Sequence, residues 1–339
     1  MIFNSSLNFI NNSYIFSKKK IHSLYLSSNI YNKKITPSII SSLNYCPSPN
    51  FLDSFIKYDK KKINIENYSL NKMWSNKNLN EKDYKNLNSF FWLFSLDLKS
   101  SKKDTQNVLL QWINNNQRYN SKSWEFDIVA KRIIAWTSNS RLTYEDSNID
   151  YKDSFNGIIK KQTNHLINEI TRTKWVDDKM IGCAAIILTG LLYQDKDEYL
   201  KTGLNLLKTL IKSSFDNNGF PKSRSIKQLC FYLKYFILIR EWLKESQSEI
   251  PDFINENIYY LGQAYAFTWQ NNKVDLLFNG NHETNNADFD HYLKKFGYSF
   301  KNQSNELGGY VNLNHKKVSL IMDVGSSPDK KFSSNYQAG

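Results

Sequence analysis

The order of apolar and polar residues divides the chain into three parts. Residues 1–84 are rich in Asn, Ser and Lys and only weakly periodic, so we expect an irregular N-terminal extension with short elements. In residues 85–300, apolar side chains recur at helical spacing in about eight segments that are joined by short polar linkers. In residues 301–339, apolar and polar residues alternate, which is typical of β-strands.

The predicted helices have apolar residues three or four positions apart, and several begin at capping residues. Asp104 is the predicted N-cap of the second helix. In chain order the segments are DYKNLNSFFWLFSLDL, DTQNVLLQWINNN, EFDIVAKRIIAWTSN, SFNGIIKKQTNHLINEI, DDKMIGCAAIILTGLLY, DEYLKTGLNLLKTLIKSSF, SIKQLCFYLKYFILIREWL and PDFINENIYYLGQAYAFTW.

The short linkers predict how these helices are connected. Helices joined by short loops lie antiparallel to their neighbours. A series of such pairs forms either an extended α-solenoid or a closed α/α toroid. No repeat of fixed length is visible in the sequence, which favours the toroid.

The last segment, GGYVNLNHKKVSLIMDVGSSP, predicts a β-hairpin with its turn at Asn314–His315. A lone hairpin is marginally stable in water, so we interpret it as the beginning of a β-domain that these 339 residues do not complete. We therefore expect the chain to be a fragment, and the apolar face of the strands at residues 308–325 to be partly exposed.

Composition narrows the possible partners. The formal charge of +13 favours an anionic partner, although Lys, Asn and Ile are abundant throughout the chain and could produce this charge without any binding role. No helix has a dense Lys or Arg stripe, so we do not expect a nucleic acid partner. Three cysteines without CxxC spacing predict neither a disulfide framework nor a zinc site, and no cofactor is predicted.

Two hydrophobic stretches bear on localisation. The longest apolar run, residues 180–193, is too short to span a bilayer, so no transmembrane segment is predicted. The first residues, MIFNSSLNFINNSYIFSKKK, lack a basic start and an uninterrupted apolar stretch, and so make a poor signal peptide. Nothing in the sequence sets the oligomeric state.

Several segments, taken in order, resemble the heparinase II/III-like polysaccharide lyases. They are SFFWLFSLDL (89–98), QWINNNQRYNSKSWEFDIVAKRIIAW (111–136), NNGFPKSRS (217–225), LLFNG (276–280) and the segments GGYVNL, SLIMDVGSSP and QAG within residues 308–339. The resemblance covers roughly residues 85–339 and implies a mainly α fold. In that fold, an incomplete (α/α) toroid of antiparallel helix pairs is followed by the first strands of an antiparallel β-sandwich.

The resemblance also implies β-elimination on a polysaccharide that contains uronic acid. That reaction needs a group that neutralises the uronate carboxylate, a base for the C5 proton and an acid for the leaving oxygen. In this family, Asn or Arg meets the carboxylate, while Tyr and His transfer the protons. The implied location is the cell envelope or periplasm, although the poor signal peptide leaves the cytoplasm open.

The chain departs from the family's pattern at the catalytic positions. Asp177 and Asp178 stand where the family has an Asn-His pair, and Gln228 and Gln337 stand where it has Tyr and His. Tyr232, one helical turn after Gln228, could substitute for the missing tyrosine. We therefore expect little or no lyase activity. The alternative function is a non-catalytic protein that binds glycans or assists envelope assembly and keeps the cleft.

The candidate site residues combine cationic, hydroxyl and aromatic groups. Arg224, flanked by Ser223 and Ser225 at a helix N-terminus, suits a carboxylate or sulfate. Alternatively, Arg224 and Lys227 form a solvated first turn or bind an internal Asp. Arg132 is either an internal ion pair or a substrate clamp. Trp124 follows a polar loop and is the predicted aromatic contact for a sugar. Tyr232 and the loop residue His282 are the acid/base candidates.

Overall fold

The computed structural model describes residues 16–52, 55, 79–96, 100–193, 198–270, 276, 278–279, 286–315, 318–329 and 332. The chain divides into two compact units. The first comprises Met1–Leu43 and Lys61–Thr171, and the second comprises Asn44–Lys60 and Arg172–Gly339. This division falls inside the predicted helical domain of residues 85–300, whose boundaries stay a prediction.

The described part of the first unit consists mainly of helices. Residues 16–26 are helical. The helices that follow are α1 (Asn29–Ile35), α2 (Glu81–Ser89), α3 (Lys102–Asn115), α4 (Phe126–Ser138), α5 (Ser140–Thr143) and α6 (Ile149–Glu169).

Two of these helices lie where the sequence pattern predicted only short irregular elements. The helix at residues 16–26 and α1 each have buried residues, among them Leu26, Tyr31 and Ile35. Tertiary packing stabilises helices that have little periodicity of their own, which is why the pattern did not reveal them. Ser28 caps α1 by accepting a hydrogen bond from the backbone N–H of Tyr31.

The first two predicted helices have different boundaries from those expected. The helix α2 ends at Ser89 because Phe90 adopts a left-handed backbone conformation, and a 3-10 turn follows. The ring of Phe90 is buried with its centroid 5.1 Å from that of Trp136, so core packing holds this conformation. The N-cap of α3 is Ser101, whose hydroxyl accepts from the N–H of Asp104, so Asp104 lies in the first turn instead.

The second unit contains the remaining helices and the strands. These are α7 (Val176–Leu192), α8 (Glu198–Ser214), α9 (Ile226–Glu245), α10 (Asp252–Tyr265) with a π-helical turn at Ala266–Gln270, α11 (Asn286–Lys295), β1 (Glu306–Leu307), β2 (Tyr310–His315) and β3 (Val318–Asp323).

The helices α7 and α8 form an antiparallel pair, as the short linker predicted. Gly190 lies against Leu200, and Gly203 lies against Ile187, so positions later in one helix meet positions earlier in the other. A Cβ atom on Gly203 would come within 2.7 Å of the Ile187 side chain. The two glycines therefore let these helices approach more closely than larger residues would.

The strands form an antiparallel sheet in the order β1-β2-β3, in which β2 and β3 are the predicted hairpin and β1 was not predicted. Asn314 pairs with Ser319 and His315 pairs with Val318, so both residues belong to β2 and the predicted turn at Asn314–His315 is wrong. Tyr310 is buried on one face, whereas Leu313 and Leu320 on the other are 52% and 50% exposed. The expected partly exposed apolar face is confirmed.

No helix in the described part of the chain is long and apolar enough to cross a membrane.

His165 is a buried titratable group in the core of the first unit. It lies on α6, and its Nδ1 is 2.7 Å from the hydroxyl of Tyr31 on α1. Burial lowers the pKa of His165 from 6.5 to about 4, so the neutral form accepts the Tyr31 hydrogen bond. Charging this imidazole would place a positive charge in a buried site and reverse the direction of the hydrogen bond to Tyr31, which is unfavourable.

We predict that the first unit loses stability between about pH 6.5 and pH 4. The unfolded chain binds a proton at His165 in this window and the folded chain does not, so acid favours unfolding, by on the order of 3 kcal/mol at most. Urea unfolding at several pH values measures the effect. The His165→Gln variant serves as the control, because it should be less stable at neutral pH but lack this part of the acid dependence. Identical pH profiles for the two proteins would contradict the prediction.

Candidate functional site

The N-terminus of α9 is prepared by a tight turn. Asp216 Oδ1 accepts hydrogen bonds from the backbone N–H groups of Asn218 and Phe220, and Gly219 between them has a φ of +74°. Only glycine adopts such a φ without strain. The chain then runs through Ser223 and Arg224 to Ser225, the N-cap of α9, whose hydroxyl accepts from the N–H of Gln228.

Arg224 fastens the sheet to the start of α9. Its Nε donates to the carbonyl of Gly308, its Nη1 to that of Ser326, and its Nη2 to that of Gly309. The same Nη2 forms an ion pair with Asp323 at the end of β3. Of the alternatives for Arg224, the structure shows the pairing with an internal aspartate.

Two glycines provide the space for this guanidinium. A Cβ atom on Gly325 would lie 2.5 Å from Arg224 Cζ, and one on Gly309 would lie 2.9 Å from Arg224 Nη2. The backbone of Arg224 itself is left-handed, with a φ of +57°. A non-glycine residue keeps such a φ only when its surroundings compensate for the strain, as this set of hydrogen bonds does.

The first turns of α7 and α9 meet in a polar cluster, which we name the Asp177 cluster: Asp177, Ser223, Gln228 and Tyr232. Ser223 Oγ donates to Gln228 Oε1 at 2.5 Å, and Gln228 Nε2 donates to Asp177 Oδ1 at 2.6 Å. The Tyr232 hydroxyl donates to the same Oδ1 at 3.3 Å. The structure thus brings together Asp177, Gln228 and Tyr232, which sequence comparison singled out separately.

Burial sets the protonation behaviour of this cluster. It raises the pKa of Asp177 above its usual value, and the hydrogen bonds from Gln228 and Tyr232 and the charge of Lys227 offset part of this rise. It also raises the pKa of Tyr232 well above 10, with a further rise from the neighbouring Asp177 charge. Tyr232 is therefore a protonated donor at neutral pH.

An exposed aromatic residue immediately precedes α7, two residues before Asp177. Trp175 is the N-cap residue of α7 and is 43% exposed, and the Lys174 ammonium is 4.6 Å from the centre of its ring. Sequence analysis overlooked Trp175. The sequence pattern that could have identified Trp175 is a tryptophan in a polar linker, TRTKW, immediately before a helix with an acidic first turn.

Trp124 and Arg132 lie in the first unit and are both buried. The indole of Trp124 donates to the carbonyl of Asn116 at 3.1 Å. Arg132 is fully buried and donates to the carbonyls of Asn88 and Ser123 and to the side chain of Gln162.

Neutral groups stabilise the positive charge of the buried Arg132 guanidinium. Its Cζ is 3.9 Å from the centre of the Trp112 ring, which adds a cation–π contact to the three hydrogen bonds. Burial lowers the pKa of Arg132 well below its usual value. None of these contacts tests substrate binding, which stays a prediction for the candidate residues.

The last two positions of interest, His282 and Gln337, lie outside the described residues. Within the described ranges, no group of His, Cys, Asp and Glu side chains is arranged to hold a metal ion. The geometry of the site therefore rests on Asp177, Gln228 and Tyr232, with Ser223 supporting them.

Comparison with solved structures gives the fold. Heparinase III aligns with a TM-score of 0.56 and 15% identity, over 88% of this chain and 57% of that one. Heparan sulfate lyase HepC from Pedobacter heparinus aligns with a TM-score of 0.50 and 12% identity, over 66% of this chain and 39% of that one. A mutant of the same lyase gives a TM-score of 0.57 over 81% of this chain. The fold is heparinase-like. This confirms the fold class predicted from the sequence.

Sequence comparison is less informative. No protein-family model matches the chain. Protein Ycf2 of Physcomitrium patens is 27% identical over 264 residues, which are 74% of this chain and 11% of that protein. The chain thus spans about half the length of the heparinase-like structures and about a tenth of this relative. Identities of 12–15% to the solved structures establish the heparinase-like fold and not its activity.

We predict that Gly325→Ala destabilises the second unit. The added methyl group would overlap the Arg224 guanidinium, and overpacking of this kind typically costs about 1–3 kcal/mol. Urea unfolding, together with limited proteolysis of residues 308–329, measures the loss.

Gly157→Ala is the matched control for this substitution. Its Cβ would meet only the Ile40 side chain at 3.5 Å, an ordinary contact, and alanine favours a helix. It should leave stability unchanged or raise it. A Gly325→Ala protein as stable and protease-resistant as the unmodified chain would show that the guanidinium does not hold the sheet.

Proposed function

We propose that this chain is an acidic-polysaccharide-binding protein on a heparinase-like fold, in which β-elimination is weak or absent. The proposed binding site lies where α7 and α9 begin. The observation that carries the proposal is the Asp177 cluster. It joins Asp177 and Gln228, at positions that the family resemblance assigns to catalytic groups, and it includes the substitute tyrosine, Tyr232.

The cluster is poorly suited to stabilise an enolate. Elimination requires a group that neutralises the uronate carboxylate as the C5 proton leaves. Asp177 stands at that position and, when ionised, repels a carboxylate. Arg224, the cation predicted to meet the substrate, is bound to Asp323 and to three backbone carbonyls. The step that a lyase accelerates most therefore lacks its main electrostatic support here.

Two residues of the cluster, Gln228 and Tyr232, are also poorly suited to transfer protons. Gln228 has no proton to exchange near neutral pH. Tyr232 is buried and donates its hydroxyl to Asp177, and its raised pKa disfavours the tyrosinate that would act as a base. Gln228 and Tyr232, at and near the position of the family's tyrosine, are therefore poorly suited to take up the C5 proton.

Binding is better supported than turnover. An exposed indole such as that of Trp175 offers a flat apolar face on which a sugar ring can stack. Lys174 lies over this ring, and the exposed Lys227 is close enough to influence the pKa of Asp177. These ammonium groups favour carboxylate or sulfate groups on the glycan, and their attraction weakens as salt screens it.

A location in the cell envelope or periplasm rests on the resemblance alone, with the cytoplasm as the alternative.

We predict that Trp175→Ala and Lys227→Gln each weaken binding to anionic glycans such as heparan sulfate. Loss of a stacking surface or of one partly screened charge should reduce affinity about three- to tenfold. Titration calorimetry at low and moderate salt measures this. Tyr259→Ala and Lys201→Gln are matched controls, because both side chains are exposed in the second unit, on α10 and α8. Equal effects from the test and control variants would refute the proposed site.

We also predict that the chain forms unsaturated uronate product at no more than the background rate. General acid and base groups contribute about 10²–10⁴ each to rate, so their loss leaves little catalysis. Ultraviolet absorbance of the product, followed over a panel of uronate glycans, tests this. Robust product formation would overturn the non-catalytic assignment. Tyr232→Phe and His282→Ala would then show which of these residues transfers the protons.

A further inference from the structure

The first unit carries a surface that the glycan site does not involve. Residues 16–43 contain five lysines and no Asp, Glu or Arg. In the same region, apolar side chains face outward: Ile21 is 68% exposed, Leu24 is 66% exposed and Ile30 is 74% exposed. Exposed aliphatic residues within a purely basic segment are unusual on a surface that only water contacts.

The inner faces of these helices are anchored to α6. His22 Nε2 lies 2.7 Å from a carboxylate oxygen of Glu169, and the Tyr31 hydroxyl lies 2.7 Å from His165 Nδ1. Leu26 and Ile35 are buried on the same side. The anchoring fixes which side of each helix is left outward, so the exposed residues belong to a defined face.

Helical spacing places the lysines beside the outward apolar residues. Lys18 is three residues before Ile21, and Lys20 is four residues before Leu24, so each pair lies on the same side of the helix. On α1, Ile30 is followed at the same spacings by Lys33 and Lys34. We name this the lysine-flanked surface: Ile21, Leu24 and Ile30 with Lys18, Lys20, Lys33 and Lys34. Lys19 is exposed between Lys18 and Lys20 at the start of the helix and adds to the local positive charge.

We propose that the lysine-flanked surface docks on an anionic lipid bilayer. Aliphatic side chains would enter the boundary between headgroups and acyl chains, while the flanking ammonium groups meet lipid phosphates, as in amphipathic helices that lie in the membrane plane. The charge of the segment is complementary to such a surface, because residues 16–43 of the first unit carry no acidic side chain.

The chemistry distinguishes a bilayer from other polyanions. A nucleic acid or an acidic glycan would use the lysines, but it offers no apolar phase for Ile21, Leu24 and Ile30. These polymers are commonly bound through Arg forks and aromatic stacking, and this surface has no Arg. A lipid surface, unlike either of these polymers, accounts for the aliphatic and the cationic side chains together.

Vesicle sedimentation with the full 339-residue chain tests the proposal. We expect binding to vesicles of phosphatidylglycerol and phosphatidylcholine, little binding to phosphatidylcholine alone, and a decrease with salt. The triple variant Lys18→Gln, Lys19→Gln, Lys20→Gln should bind at least tenfold more weakly, since each lysine near an anionic surface contributes roughly a fivefold factor. Leu24→Ser should also weaken binding, by several-fold.

Matched controls separate this surface from net charge and general hydrophobicity. Lys201→Gln, Lys244→Gln, Lys294→Gln removes the same charge from exposed positions of the second unit, and Ile149→Ser removes another exposed aliphatic residue. Both should leave vesicle binding nearly unchanged, and circular dichroism checks that every variant is folded.

Three results would overturn the proposal. They are absence of binding to the anionic vesicles, equal losses in the test and control variants, and equal binding to neutral vesicles. A loss of heparin or duplex DNA binding in the Lys18–Lys20 variant without a loss of vesicle binding would assign the surface to a polyanion instead. The test is independent of the glycan site, because its variants leave Asp177, Trp175 and Lys227 intact.

Discussion

The second unit depends on one guanidinium group. Arg224 directly precedes the N-cap of α9. Its guanidinium binds both ends of the β-hairpin through an ion pair and three hydrogen bonds to backbone carbonyls. Gly309 and Gly325 have no side chain and so leave space for this guanidinium. The left-handed backbone of Arg224 directs the chain into the helix. Ser225 and Gln228 follow within one turn, so the same interaction positions the amide that reaches Asp177. The contact that holds the sheet thus also sets the start of α9, from which Gln228 reaches the candidate site.

The sequence could predict the helices and the hairpin because their signals are local. Apolar spacing located α4 and α6 to α10, and alternation located β2 and β3. These local patterns did not predict the structure where contacts between distant residues determine the conformation. The buried Phe90 ends α2 by packing against Trp136, and the helices before residue 36 form because they pack on α6. No local pattern contains either contact.

The candidate site shows the same limit. Arg224 and Arg132 were both expected either to meet a substrate or to pair internally, and sequence could not decide because their partners are far away. Asp323 lies 99 residues from Arg224, and Arg132 is held by neutral acceptors that no charge pattern reveals. The convergence of Asp177, Gln228 and Tyr232 was implied by family resemblance, whereas their hydrogen bonds required coordinates. Trp175 was missed because one exposed aromatic residue in a linker has no periodic signal.

The most direct test of the account is hydrogen exchange with and without a heparan sulfate oligosaccharide. Ligand contact slows exchange where it excludes water or rigidifies the backbone. The account predicts added protection around residues 174–178 and 226–233, at the starts of α7 and α9, with little change in residues 16–35. Protection confined to another part of the chain, or none under conditions where the oligosaccharide binds, would contradict a glycan site at the Asp177 cluster.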